Sequence, residues 1–416
     1  MMKTSPRAAA VSLLAVAGLL AGCTSSHPAA KDSSTPTGPP PGTSTSAPAT
    51  VGPTTSSAPP TSAPPSSPTS SGLADALPGM PPVDDPNNIY SNSGPDMFSP
   101  VVKNDPSYIY VPNSNSNTVD VIDPKTFQIV EHFAVPGQPQ HVVPSYDLKT
   151  LWVNSDTGNA LVPIDPTTGK PGAPVSVADP YNLYFTPDGK YAIVMAERMK
   201  RIDWRDPHTM ALEKSTNVQC AGVNHADFSA NGRYFIVSCE FDGQLLKIDT
   251  VSQQIVGRLS LGHNAAPQDV KTAPNGKIFY VADMNSNGVW EIDGDSFKNI
   301  GFIPTGKGAH GEYVSRDSKY LYVTNRDEGS VSLIDLATQK VATKWVIPGG
   351  GSPDMGNVSA DGKELWLSGR YSGVVYDIST VDGHLIKKVK VGSGPHGLCV
   401  FPVPGRYSLG HTGVTR

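Results

Sequence analysis

The chain has 416 residues, 17% of them charged, with 32 Lys and Arg against 37 Asp and Glu and a formal net charge of −5. It contains no basic run, so the clustered cations that phosphate backbones require are missing, and nucleic acid is excluded as the expected partner. Gly and Pro number 40 each, a content of turn formers that suits linker or all-β structure and argues against a helical protein.

In chain order, residues 1–22 read as an export signal. Lys3 and Arg7 give a positive start, Ala8 to Leu20 an apolar stretch, and Leu20-Ala21-Gly22-Cys23 an ending of small residues before a cysteine. The apolar stretch is shorter than the roughly 20 residues a spanning helix needs, which predicts cleavage. The Leu-Ala-Gly-Cys ending resembles the lipobox of bacterial lipoproteins. That resemblance implies lipid modification of Cys23 and attachment to the extracytoplasmic face of the cell membrane, where two or more acyl chains anchor stably and one does not. Residues 23–85 follow as a tether of Ser, Thr, Pro, Ala and Gly. Such a composition buries too little apolar surface to offset its ordering entropy.

Residues 86–416 are built from one repeated unit. A turn recurs at Ser145-Tyr146-Asp147, Thr186-Pro187-Asp188-Gly189, Ser229-Ala230-Asn231-Gly232, Ala273-Pro274-Asn275-Gly276, Ser315-Arg316-Asp317-Ser318 and Ser359-Ala360-Asp361-Gly362, with starts about 41 to 44 residues apart. An Ile-Asp pair closes a later strand at Asp123, Asp165, Asp203, Asp249, Asp293 and Asp335, with Tyr376-Asp377-Ile378 as an altered seventh copy. Alternating apolar strands lie between these anchors. Period two and a repeat in the low forties predict an all-β, seven-bladed β-propeller of four-stranded antiparallel blades. The first unit lacks its leading strand, and residues 394–402 offer one, so the C-terminal strand is expected to close the ring and remove the open edge. The units resemble the YVTN-repeat, YncE-like β-propellers over about residues 105–402. The carrying residues are Tyr322-Val323-Thr324-Asn325, which spell the repeat. The resemblance implies fold and leaves function open.

The first strand of each blade is expected to line the central channel. Just upstream of the first turn stand His141, His225, Asp269, His310 with Glu312, and Asp354, and the closing strand adds His396. Imidazoles and carboxylates converging on one axis would suit a metal ion, a haem-type cofactor or acid–base chemistry. Equally, they suit the walls of a water-filled channel. His310 and His396 share an offset, whereas His141 and His225 come one residue later and are expected to face away. Haem-binding propellers of nitrite reductases and streptogramin lyases resemble the chain in blade spacing and His-Gly elements. Neither resemblance extends to a full motif, so no catalytic residue is assigned and no cofactor is named. Asp283 to Gly288 mimics the start of a calcium loop but lacks the Glu at its twelfth position, and reads as a hairpin turn. Glu197, Glu240, Asp283, Arg326 and Arg370 are expected on the channel rim. Cys220 and Cys239 fall at adjoining strand ends, which makes a disulfide plausible outside the cell, and Cys399 is expected as a buried thiol. The expected function is therefore a membrane-anchored, monomeric binding or scaffolding module for a cell-envelope protein or a small ligand. The alternative is a metal- or haem-dependent enzyme or cofactor carrier.

Overall fold

A computed structural model describes residue 73 and residues 75–416. The export signal, Cys23 and most of the tether lie outside the described residues. Seven antiparallel sheets make the propeller. Blade 1 is Tyr108–Asn113, Thr118–Asp123 and Gln128–Ala134. Its innermost strand is Cys399–Phe401, which pairs with Tyr108–Tyr110 and closes the ring as expected. Blades 4 to 7 repeat one pattern, their inner strands being Val223–Phe228, Pro267–Thr272, Ala309–Val314 and Pro353–Val358. In blade 2, behind the inner strand Pro139–Pro144, the outer strand is broken into Lys170–Pro171 and Val175–Ser176. Pro171 and Pro174 lack the N–H groups that a continuous ladder needs. The one helix among the described residues is a 3-10 turn at Glu240–Asp242.

The repeated turns have a chemical basis. The Ser145 hydroxyl donates to Asp147 at 2.7 Å, Thr186 to Asp188 at 2.6 Å, Ser315 to Asp317 at 2.6 Å and Ser359 to Asp361 at 2.7 Å. Each hydroxyl then accepts the amide that starts the next strand. The Ile-Asp aspartates bind their own turns, as when Asp335 accepts the Thr338 amide at 2.8 Å. Two assignments of this anchor shift. In blade 3 the turn is held by Asp206, which accepts the Thr209 amide at 2.7 Å, while Asp203 lies mid-strand between Arg201 and Arg205. In blade 7 Ser379 occupies the anchor position, and Asp377 is an extra carboxyl inside the strand Val374–Ser379.

The packed structure begins before the expected boundary at residue 86. Leu77 and Val83 are buried. Along one rim the backbone ties successive turns together, with Leu77 donating to Asn231, Ile89 to Pro274 and Asp96 to Ala360. Sparse apolar residues within a Pro-rich stretch suffice once a turn offers backbone partners.

The largest departure concerns the channel. Past the closing strand, Ser408–Gly410 adds to the channel side of the blade 3 inner strand, Asn182–Phe185, and Val414–Thr415 folds back on it. Tyr407 through Arg416 are all buried. A hairpin thus fills the space expected to hold water. Arg416 fixes its end, pairing with Asp227 at 3.1 Å and lying over the Tyr90 ring.

Candidate functional site

The inner strands of blades 2, 4, 5, 6 and 7 share an irregularity near their starts. In blade 2 the register shifts between Pro139 and Val142, in blade 4 between Val223 and Ala226, and in blade 5 between Pro267 and Val270. Blades 6 and 7 do the same at Ala309/Glu312 and Pro353/Gly356. Two inner-strand residues then face one on the neighbouring strand, which is a β-bulge. The facing residue holds the bulge in three blades. Thr324 accepts the Gly311 amide at 2.8 Å, and Ser238 and Ser368 accept those of His225 and Met355 at 3.3 Å each.

The bulge suspends strand alternation, so His141 and His225 face the channel along with His310 and His396, contrary to expectation. Ring centroids of His141 and His396 are 4.8 Å apart, His141 and His225 5.6 Å, His225 and His310 6.1 Å, and His310 and His396 6.1 Å. A fifth ring, His411 at the hairpin tip, lies 5.3 Å from both His141 and His225 and stacks on Tyr184. The sequence reading missed it, because His411 follows the closing strand and belongs to no repeat. Its one signal is the Leu409-Gly410-His411-Thr412-Gly413 turn, set between Tyr407 and Val414 beyond the closing strand. Gly410 is required there: its φ is +100°, and a Cβ would collide with the Leu183 carbonyl. Gly397 lets the His141 ring lie against the closing strand, where any Cβ would overlap it.

Burial lowers the imidazole pKa of His141, His310 and His396 well below the usual value, with the Arg326 charge adding to the effect on His310 and the Arg370 charge on His396, and takes that of His225 down to about 3. These four rings are therefore neutral at pH 7, each with one lone pair to offer. Two acceptors are already engaged: Arg326 donates to both His310 and Asp354. Burial works against the Arg326 charge, but Asp354 outweighs it. His396 Nε2 lies 3.6 Å from the other Asp354 oxygen. Glu312 lies deeper, with neither carboxyl oxygen hydrogen-bonded, and burial followed by the Asp269 charge raises its pKa well above the usual carboxylate value. Asp269 accepts the Glu312 amide at 2.9 Å and has an oxygen 3.5 Å from His411 Nε2. Burial alone would raise its carboxyl, but His411 and Lys271 hold it below its ordinary value.

At the mouth, the half-buried Tyr181 packs edge-on over His141 at 5.4 Å and His225 at 5.9 Å. Glu197 and Glu240 both reach Asn224, and burial followed by the Glu240 charge pushes Glu197 up to about 8. Arg370 donates to Ser114 on blade 1. Asp283 is spent on its own hairpin, accepting from Asn285, Ser286 and Trp290, as a turn reading requires. Cys220 and Cys239 form a disulfide with Cα atoms 5.7 Å apart, and Cys399 is a buried thiol. The imidazoles pack too closely for a tetrapyrrole, which would have to expel the hairpin, so the residues present do not fit a haem-type group. An ion-sized ligand fits.

The family model described as YNCE-like beta-propeller matches residues 92–404. The chain is 23% identical to the protein YncE of Salmonella typhimurium over 285 residues, covering 59% of this chain and 73% of that protein. Among solved structures it is similar to hydrazine synthase of Kuenenia stuttgartiensis, with a TM-score of 0.59 and 20% identity over 70% of this chain and 96% of that one. It is also similar to the dihydro-heme d1 dehydrogenase NirN, solved with DHE, with a TM-score of 0.53 and 17% identity over 81% and 82% of the two chains. At such identities the likeness is one of fold.

Proposed function

The chain belongs to the YNCE-like β-propeller family, and we propose that it is a lipid-anchored, extracytoplasmic binding protein whose small ligand seats in the chamber at the mouth of the channel. One observation carries the reading: five histidines and two aspartates from six blades and the hairpin converge in one buried chamber, with several polar atoms that have no protein partner. Unpaired buried polar atoms cost free energy and persist where a ligand satisfies them. Binding is favoured over catalysis because His141, His225, His310 and His396 are held neutral by burial and no activated nucleophile stands beside them among the described residues. The disulfide suits an oxidising compartment, and Cys23 in its lipobox-like context supplies the anchor.

Native mass spectrometry of the full-length protein, purified without chelators, tests this. A mass excess in one-to-one ratio is expected, with loss of the excess in His141→Ala or His225→Ala. Protein that carries nothing, and whose chamber variants match the parent in stability, would contradict it. Fractionation tests the anchor: Cys23→Ala should move the protein from the membrane to the soluble fraction.

A further inference from the structure

We infer that His141, His225 and His411 form a binding site for one late first-row transition-metal ion, copper or zinc in class, and that the hairpin of residues 407–416 completes it. The inference rests on the chamber being a binding site and names what binds there.

Three observations converge. One nitrogen from each of the three rings can be chosen so that all lie within 4.8 Å of one another. Nε2 of all three is buried without a hydrogen-bond partner. Two of the opposite nitrogens are held as ligating imidazoles are held, with His141 Nδ1 donating to the Tyr181 carbonyl at 2.9 Å and His225 Nδ1 facing Asn224 Oδ1 at 3.0 Å, while His411 Nδ1 accepts from the Asn182 amide nitrogen at 3.0 Å. A hydrogen bond at Nδ1 fixes the ring and directs the Nε2 lone pair inward. The Asn182 oxygen accepts the Leu183 amide at 2.9 Å, so its nitrogen donates to His411 Nδ1 and the His411 proton sits on Nε2 until a metal ion replaces it there, with the Asn182 amide turning over as the proton moves to Nδ1. Zinc–nitrogen bonds of about 2.0–2.1 Å require the three nitrogens to move inward by roughly an ångström, within the reach of side-chain torsions.

A second group, His310, Asp354 and His396, is similarly compact. There Arg326 occupies both His310 and Asp354, so a cation would have to displace an existing one. The three-histidine set carries no such occupant. His396, with its centroid 4.8 Å from that of His141, has Nδ1 engaged by the Gln140 carbonyl and Nε2 facing Asp354 at 3.6 Å, and so belongs to the second group. An Asp269 oxygen lies 3.5 Å from His411 Nε2 and supplies negative charge beside that nitrogen. Imidazole donors select copper, zinc or nickel over calcium or magnesium, which prefer oxygen.

The hairpin contributes the third ligand, so metal binding and hairpin docking stabilise each other. Ligand supplied by a separate segment is typical of sites that fold as they load.

The test uses the full-length protein purified without chelator, with elemental analysis and native mass spectrometry on the same sample, then titration of chelator-stripped protein with Zn(II), Cu(II) and Mg(II). One equivalent of zinc or copper is expected, with no uptake of Mg(II). His411→Ala should weaken binding by more than ~100-fold, and His225→Ala should do the same, while the exposed His384→Ala leaves it unchanged. Hydrogen exchange supplies a readout that does not depend on the variants: amides of residues 407–416 should gain protection when metal is added to stripped parent protein. Metal binding of equal strength in His411→Ala overturns the hairpin's role and leaves the chamber as a binding site. An organic adduct with no metal uptake overturns the metal site and leaves the binding function. Neither adduct nor uptake overturns both.

Discussion

At the scale of single residues, the site depends on a departure from strand alternation. Counting by twos from His310 turns His225 outward, yet the bulges bring both rings to the channel. The bulge was partly legible, because its supporting hydroxyls, Ser238, Thr324 and Ser368, stand at one position of the second strand. Thr324 is the threonine of the Tyr-Val-Thr-Asn repeat itself. His411 was not legible, because it has no counterpart in another blade and only the fold of the tail brings it to the ring. The extra carboxyl of blade 7 makes a prediction away from the site. Neither Asp377 oxygen has a hydrogen-bond partner, and burial followed by the Glu364 charge pushes its pKa up to about 8. The unfolded chain ionises near the ordinary value, while the folded chain keeps its proton until about pH 8. Its contribution is therefore most favourable in acid, is lost as pH rises between those values and is level above them. Asp377→Asn should raise the melting temperature at pH 8 and leave it nearly unchanged at pH 4. A stabilisation of equal size at both pH values would show that packing, not ionisation, sets the effect.

At the scale of elements, the hairpin of residues 407–416 decides what the channel is. The sequence pattern delivered the blades because each one repeats the same hydroxyl-capped turn and the same alternation, and delivered the closing strand because the first blade was short of one. A single segment added to one inner strand has no period, and so the channel was read as open to water. The structure makes the hairpin a packed element with its own restraint, the buried Arg416–Asp227 pair. Gly410→Val should dislodge it, since the side chain must meet the Leu183 carbonyl at a positive φ. A cost of about 1–3 kcal/mol is expected. Amides of residues 407–416 should exchange faster while those of the outer blades do not. Uniform loss of protection across all seven blades would mean that the hairpin is part of the folding core rather than an insert.

At the scale of the molecule, ring closure and the rim strap divide the work. Inner strands held on both sides position the chamber, and residues 77–96 tie together the turns of blades 4, 5 and 7 on the rim away from the mouth. That strap was partly hidden by composition, because Leu77 and Val83 are diluted among prolines. The disulfide joins the start of blade 4 to the end of its second strand, across a sequence separation of 19 residues, beside the bulge that carries His225. Loop-closure entropy for that span gives about 3 kcal/mol. Reduction should lower stability by that order and loosen metal binding at the same time. Loss of stability with unchanged metal affinity would confine the bridge to a structural role.

X-ray absorption at the metal edge of the zinc- or copper-loaded full-length protein tests the account most directly. The predicted first shell is nitrogen at about 2.0–2.1 Å for zinc, with the outer scattering of at least three imidazoles, falling by one in His411→Ala. A shell of oxygen alone, or one that His411→Ala leaves intact, would contradict it.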